Sequence, residues 1–318
     1  ASVIGASFTG NLAVTATSGP GIALKGEAMG LAVMTELPMV IINVQRGGPS
    51  TGLPTKTEQS DLVQALYGRN GEAPIPLIAA ATPGDCFYAA YEASRIALKY
   101  MTPVVLLTDG YLANGSEPWK IPDVDGMESI DVQLVDGVKE GEEFMPYKRD
   151  EDTLSRPWAI PGVPGLEHRV GGLEKAENTG HVSYDPDNHQ RMVELRQEKV
   201  DRIQNDIAKT EVFGEENGDV LILSWGGTYG SCRSAVETLH DQEKSVSHVH
   251  VRWISPLPKD LGEIIIKFKN VLIPEINMGQ LIKIIRSEYL VDAKGLNQVN
   301  GKPISASKIV EKVNEMVG

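Results

Sequence analysis

The residues best suited to chemistry stand together in Val44-Gln45-Arg46-Gly47-Gly48-Pro49-Ser50-Thr51-Gly52-Leu53-Pro54-Thr55, between the apolar run Met39 to Val44 and a helix-like Glu58 to Leu66. Arg46 offers a planar, permanently charged fork that suits a carboxylate or a phosphate. Gly47 and Gly48 let backbone approach a ligand closely, Pro49 shapes the loop, and Ser50, Thr51 and Thr55 add hydroxyls. A buried strand that runs into such a loop is how an open α/β sheet presents a ligand site at its carboxyl edge. An arginine in a generic surface loop is more often paired with a neighbouring acid. The length and order of this loop favour anion handling instead.

The flanking elements must carry the loop. Leu12 to Thr17 is a short β-rich run, Ser18-Gly19-Pro20-Gly21 a turn, Ile22 to Glu36 a helix by its apolar spacing, and Met39 to Val44 the next strand. This βαβ unit needs parallel strands and a right-handed crossover, which puts Ser18 and Gly19 at the same sheet edge as Arg46. Taken alone, a Gly-Pro-Gly turn is simply a good strand-to-helix connection. Leu77 to Ala81 and Pro103 to Thr108 add two strands, and Asp109 to Asn114 makes a third loop at that edge. Between them Thr82-Pro83-Gly84-Asp85 has the order of a helix start, for a helix to about Tyr100. Cys86, Ala89, Ala90, Ala93, Ile96 and Ala97 share one stripe of it, so Cys86 reads as a core residue and not a nucleophile. Ala1 to Phe8 has the character of a helix tail whose beginning is missing.

From Asp123 to Asp152 eleven acidic residues face three basic ones with little periodicity, the pattern of an extended, solvated arm. Pro157 to Asn188 stays rich in Gly and Pro, and His189 to Lys209 is helical; connections this long usually wrap a neighbour or carry a site. His168 and His181, near Glu167 and Glu174, fit no metal-ligand spacing. A second α/β unit begins at Gly218, with strands Asp219 to Ser224, Val249 to Ile254 and Asn270 to Pro274, and helices from Ser231, near Leu261 and from about Ser305 to Met316. His248 and His250 line one face of the middle strand. Gly226, Gly227 and Gly230 lack the G-x-G-x-x-G order and no acid ends the next strand, which disfavours dinucleotide binding. The expected fold is α/β, with two parallel-sheet domains, residues 1–122 and 218–318, joined by an irregular acidic segment, 123–217, that contains one helix.

The chain has 318 residues, 41% hydrophobic and 23% charged, enough for one or two ordinary cores. Its net charge of -13 argues against nucleic acid and anionic membranes as partners, and no apolar run approaches a membrane span. Cys86 and Cys232 are its two cysteines. They give neither a disulfide framework nor a CxxC metal motif, and a cytoplasmic, thiol-reducing home fits.

The run Gln45 to Asp61, followed by Ala65-Leu66-Tyr67-Gly68 and Gly71-Glu72, resembles the alpha subunit of 2-oxoacid:ferredoxin oxidoreductases, the 2-oxoglutarate type above all. The resemblance continues through Ala16 to Gly21, Pro103 to Leu112 and Glu275 to Gln280, and so covers most of the chain. It implies a thiamine-diphosphate pyrimidine-binding domain over 1–122, truncated at its front, and a transketolase C-terminal-like domain over 218–318. The implied activity is oxidative decarboxylation of 2-oxoglutarate with coenzyme A to succinyl-CoA and CO2, with electrons passing to ferredoxin. Thiamine diphosphate would be shared with a beta subunit that also holds Mg2+ and a [4Fe-4S] cluster, for which two cysteines do not suffice. Arg46 matches the arginine that pairs with the substrate carboxylate, and Thr51 a hydroxyl of the same loop; no metal ligand is implied in this chain. The family's Tyr-Pro-Ile-Thr-Pro motif and its activating glutamate would precede Ala1, and the gamma-like domain of fused relatives is absent. The alternatives are pyruvate or branched-chain 2-oxo acids as substrates, or a non-catalytic assembly subunit.

Overall fold

Strands that are apolar throughout need cover on both faces. The computed structural model, which describes residues 1–138 and 141–318, provides it with helices and with a second sheet. The first unit runs α1 (Ser2–Phe8), β1 (Ala13–Thr17), α2 (Gly19–Leu24), α3 (Gly26–Thr35), β2 (Met39–Gln45), α4 (Leu62–Tyr67), β3 (Leu77–Ala79), α5 (Asp85–Tyr100), β4 (Pro103–Asp109) and α6 (Gly110–Asn114). These strands lie in the order β1-β2-β4-β3, all parallel. β4 is buried at every position. Its Val104 and Leu106 pack with Ala89, Ala93, Ile96 and Ala97 of α5, while Val105 and Leu107 pack on the opposite side with Met39, Ile41 and Leu77. The N-cap of α5 is Gly84 and not Thr82, although Thr82 Oγ1 accepts the Asp85 N–H at 3.1 Å ahead of the helix, and Cys86 Sγ donates to Thr82 O at 3.4 Å. Burial pushes that thiol up to about 11, as suits a core residue.

Two local expectations change here. The helix expected from Ile22 to Glu36 is two helices, broken at Lys25 next to Gly26, where helix propensity is poor. α4 begins at Leu62 and not at Glu58, because residues 57–61 direct their hydrogen bonds elsewhere.

The middle of the chain holds β5 (Leu134–Val135), paired with β6 (Trp158–Ala159), and α7 (Pro186–Arg202). Asp185 caps α7 by accepting the Asn188 N–H at 2.7 Å, with Pro186 in the first turn. Residues 115–138 are mostly exposed, in line with a solvated arm, but Tyr147, Leu154, Arg156 and Trp158 are buried. What holds this later part down is Glu36, just past α3. Both its oxygens accept from Arg149, at 2.7 and 2.6 Å, and it also accepts from Lys199 of α7.

The last part runs β7 (Val212–Phe213), β8 (Gly218–Ser224), α8 (Tyr229–Asp241), β9 (Val246–His250), β10 (Trp253–Ser255), α9 (Leu261–Ile265), β11 (Phe268–Glu275), α10 (Leu281–Tyr289), β12 (Lys294–Asn297) and α11 (Ala306–Val317). Its sheet has the order β12-β11-β8-β9-β7, parallel except for β7. The run read as one strand to Ile254 is two: after His250 the chain leaves this sheet, and β10 adds to the first sheet, antiparallel to β3. Trp253 thereby enters the cluster built on α5, and Ile41 and Val105 of one sheet share a continuous apolar core with Leu221 and Ile273 of the other. The two units are therefore joined by a strand and a core as well as by the connecting segment.

Candidate functional site

β2 ends at Gln45, so Arg46 is the first residue past the strand, at the carboxyl edge of the sheet. The loop behind it is closed at its root. Gly47 N–H donates to Lys56 O at 2.9 Å and Leu53 N–H donates to Gly47 O at 2.8 Å. Position 47 must be glycine, since a Cβ there would stand 2.9 Å from Leu53 Cβ. Beyond that root Gly48, Pro49, Ser50, Thr51 and Thr55 are exposed, with Ser50 and Thr55 in left-handed backbone at φ 57 and 61. Arg46 itself is half-buried. It enters no ion pair among the described residues, and its buried Nε has no hydrogen-bond partner. Leaving such a donor unmatched costs about 1–3 kcal/mol, a cost that an anionic ligand would remove.

Beneath the loop, residues 57–61 form a buried polar bridge between the two sheets. Thr57 Oγ1 donates to Asp109 Oδ1 at 3.0 Å, and Asp109 also accepts from the N–H groups of Tyr111 and Leu112 at the start of α6 and of Gly227 at 3.1 Å. Gln59 is saturated. Its N–H donates to Ile276 O at 3.1 Å and its Nε2 to Trp225 O at 2.7 Å; its Oε1 accepts from Ile276 N at 3.2 Å and its O from Asn277 Nδ2 at 2.8 Å. Glu275 in turn accepts from Trp225 Nε1 and from the N–H groups of Leu281 and Ile282. Burial pushes the carboxyls of Asp109 and Glu275 upward, against the donors that favour their charged forms. The Gly226-Gly227 turn thus serves contact between the units. A Cβ at Gly227 would lie 2.4 Å from Asp109 Oδ2.

Ser18 and Gly19 follow β1 at the same edge, with β1 beside β2, and Gly19 stands against Asp61 instead of inside the Arg46 loop. Asp61 accepts from Asn43 Nδ2 at 3.1 Å and donates its N–H to Gln45 Oε1 at 3.1 Å; a Cβ on Gly19 would be 2.6 Å from both Asp61 oxygens. Burial raises the Asp61 carboxyl. The sequence places residues 57–61 at a helix start and misses their part here. The available signal was seven consecutive polar residues, Thr55 to Asp61, between a glycine loop and an apolar helix.

A cavity of about 1000 Å³ lies elsewhere, between α5, α8 and β9. Four of its cations are matched, Arg252 with Asp85, Arg95 with Glu92, Lys99 with Asp206 and Arg233 with Glu237, and the fifth, Lys209, is exposed. Arg46 differs in having a buried Nε with no partner among the described residues, and for that reason the loop is the stronger candidate. On the cavity's floor His248 Nε2 and His250 Nδ1 both bond Ser224 Oγ, at 2.6 and 2.8 Å. Burial pushes these imidazoles down to about 4 and about 3. His168 Nδ1 bonds Leu166 O, His189 pairs with Glu174, and no group of three possible metal ligands exists among the described residues. Among the described residues no helix is long and apolar enough to cross a membrane.

Comparison with known proteins bears on this geometry. Residues 1–185 match the family model described as pyruvate flavodoxin/ferredoxin oxidoreductase, thiamine diphosphate-binding. The chain is 51% identical over 307 residues to the 2-oxoglutarate oxidoreductase subunit KorA of Mycobacterium tuberculosis, covering 96% of this chain and 46% of that protein. It is 33% identical over 312 residues to the 2-oxoglutarate synthase subunit KorA of Archaeoglobus fulgidus, covering 98% and 81%. Its fold matches the 2-oxoglutarate:ferredoxin oxidoreductase of Magnetococcus marinus, solved with 2-oxoglutarate, coenzyme A and succinyl-CoA bound, with a TM-score of 0.93 at 36% identity over 100% of this chain and 55% of that one. A split-gene transketolase, 13% identical with a TM-score of 0.53 over 99% of this chain and 80% of that one, shares the fold alone. The chain spans about half the length of the Mycobacterium and Magnetococcus proteins. With the parallel sheets and the arginine loop in place, family model and relatives agree: the chain belongs to the pyruvate flavodoxin/ferredoxin oxidoreductase family.

Proposed function

We propose that this chain supplies the alpha-subunit share of a thiamine-diphosphate-dependent 2-oxoglutarate:ferredoxin oxidoreductase, which converts 2-oxoglutarate and coenzyme A to succinyl-CoA and CO2 and reduces ferredoxin. The observation that carries this reading is Arg46, a cation without a partner among the described residues, at the edge of a parallel sheet, beneath an exposed glycine loop. Its guanidinium fits a substrate carboxylate, for which two parallel charge-assisted hydrogen bonds are available. Thr51 adds a hydroxyl from the same loop, while Gly47, Gly48, Pro49, Ser50 and Thr55 shape it and Ser18 and Gly19 complete the edge. Thiamine diphosphate, when bound, supplies the electron sink that decarboxylation of a 2-oxo acid requires and that no side chain provides. This chain's part is to bind and orient the acid beside it.

Mg2+ and a [4Fe-4S] cluster belong to the beta subunit in this reading. A four-thiolate cluster exceeds the two cysteines here, and Cys86 on α5 and Cys232 on α8 are both free thiols. Free thiols also suit a reducing cytoplasm. The test is the complex assembled with its partner chain and cofactor and assayed for CoA-dependent ferredoxin reduction on 2-oxoglutarate, pyruvate and branched-chain 2-oxo acids. The highest kcat/KM is expected on 2-oxoglutarate. A preference for pyruvate would move the substrate, and no turnover on any of them would overturn the enzymatic reading.

A further inference from the structure

Among the described residues Arg46 has no partner, although a buried carboxylate stands close behind it in the chain. Glu58 is 5% exposed, yet it forms no ion pair with Arg46. It is turned onto the backbone that follows Arg46. Its Oε2 accepts the Gly48 N–H at 3.3 Å and the Ser60 hydroxyl at 2.8 Å, and its Oε1 would lie 3.3 Å from a Cβ on Gly47. Glu58 is itself held from the far side. Thr57 is tied to Asp109, and Gln59 makes four hydrogen bonds to Trp225, Ile276 and Asn277 of the second unit. Gln280 Nε2 donates to Ser60 O at 2.7 Å. A rigid sequence of contacts thus runs from the carboxyl edge of the second sheet, through residues 57–60, to the turn immediately after Arg46.

We propose that Glu58 is the positioning residue for Arg46: held by the second unit through Gln59 and Ser60, its carboxylate sets the Gly47-Gly48 turn so that the Arg46 guanidinium remains open to the carboxylate of the 2-oxo acid. This rests on the role proposed above for Arg46. It gives the second sheet a part in substrate binding through residues 57–60. It also accounts for the order of the segment: Glu58 faces the loop, while the residues on either side of it face Asp109 and the second unit.

The test uses the assembled complex with Glu58→Gln, Glu58→Asp and Arg46→Lys, measuring kcat, KM for 2-oxoglutarate and KM for coenzyme A. Glu58→Gln keeps the side chain's shape and weakens the acceptor, so KM for the 2-oxo acid is expected to rise about fivefold while kcat and KM for coenzyme A stay within about twofold. Glu58→Asp keeps the charge but withdraws it by one methylene, and should do at least as much harm. A structural role alone would move stability, or both KM values together, and not KM for the 2-oxo acid selectively. Exchange of the Gly48 amide, followed by mass spectrometry, should quicken in both Glu58 variants. If Arg46→Lys raises KM for the acid and Glu58→Gln does not, the positioning role is refuted and the reading of Arg46 stands. If neither variant changes it, both are refuted.

Discussion

Replacing Glu36 with glutamine should be among the most damaging single changes in the chain. Its side chain is 3% exposed, accepts two hydrogen bonds from Arg149 and one from Lys199, and neighbours Arg156, itself buried against the carbonyls of Thr35 and Glu36. An amide in its place leaves two buried cations uncompensated and presents an N–H group to one of them. Breaking a buried pair from one side costs about 3–5 kcal/mol, which reads as a fall in Tm on the order of 10 °C. The pH dependence has a definite sign. Burial alone would push the Glu36 carboxyl up, but Lys199 and Arg149 beside it overcome that and hold it well below the usual carboxylate range. With the folded value depressed, the stabilisation is fully present above the unfolded value near 4.5 and is lost as pH falls below it. Thermal melts of wild type and Glu36→Gln from pH 3 to 8 should differ most at neutral pH and converge toward acid. A Tm within about 2 °C of wild type at pH 7 would refute this, since it would mean the cluster contributes less than about 1 kcal/mol.

Further outcomes follow from the same contacts. Gly19→Ala places a methyl 2.6 Å from both oxygens of Asp61, so it should lower Tm by several degrees and loosen the first turn of the site, seen as faster amide exchange across 17–22. Burial pushes the Lys175 ammonium down to about 8 from 10.5, so the unfolded state binds more protons between these values and stability should rise with pH across that window. Lys175→Met should flatten the rise in melts taken between those two pH values, and an unchanged slope would remove Lys175 as its source. The division proposed at 122/123 and 217/218 is not expected to mark independent folding units, because β10 of the last part pairs with β3 of the first and Gln59 bonds Trp225. A fragment of residues 218–318 should accordingly show no cooperative melt, whereas a sharp transition would establish it as autonomous.

Periodicity made β1, β2, β4 and α5 legible because each is a local pattern with a clear start or stop. The crossing after His250 was not legible, since Val246 to Ile254 is one apolar alternation whether or not the chain changes sheets at Val251-Arg252. α10 carried a usable signal in Leu281 and Ile285, both buried, whereas β12 is a short edge strand with no alternation. Arg46 could be singled out because a lone cation in a glycine loop is a chemical statement in itself. The function of residues 57–61 could not, because Gln59 finds its partners 166 and 218 positions downstream and no local rule reports contacts of that span.

If Arg46 takes the carboxylate of the 2-oxo acid, Arg46→Lys in the assembled complex must weaken the use of that acid. The ammonium keeps the charge but loses the second parallel hydrogen bond, a loss of about 1.5–3 kcal/mol, so kcat/KM for 2-oxoglutarate should fall roughly ten- to hundredfold with Tm unchanged. Wild-type kcat/KM for every 2-oxo acid in the Arg46→Lys complex would contradict it and leave Arg46 a structural residue.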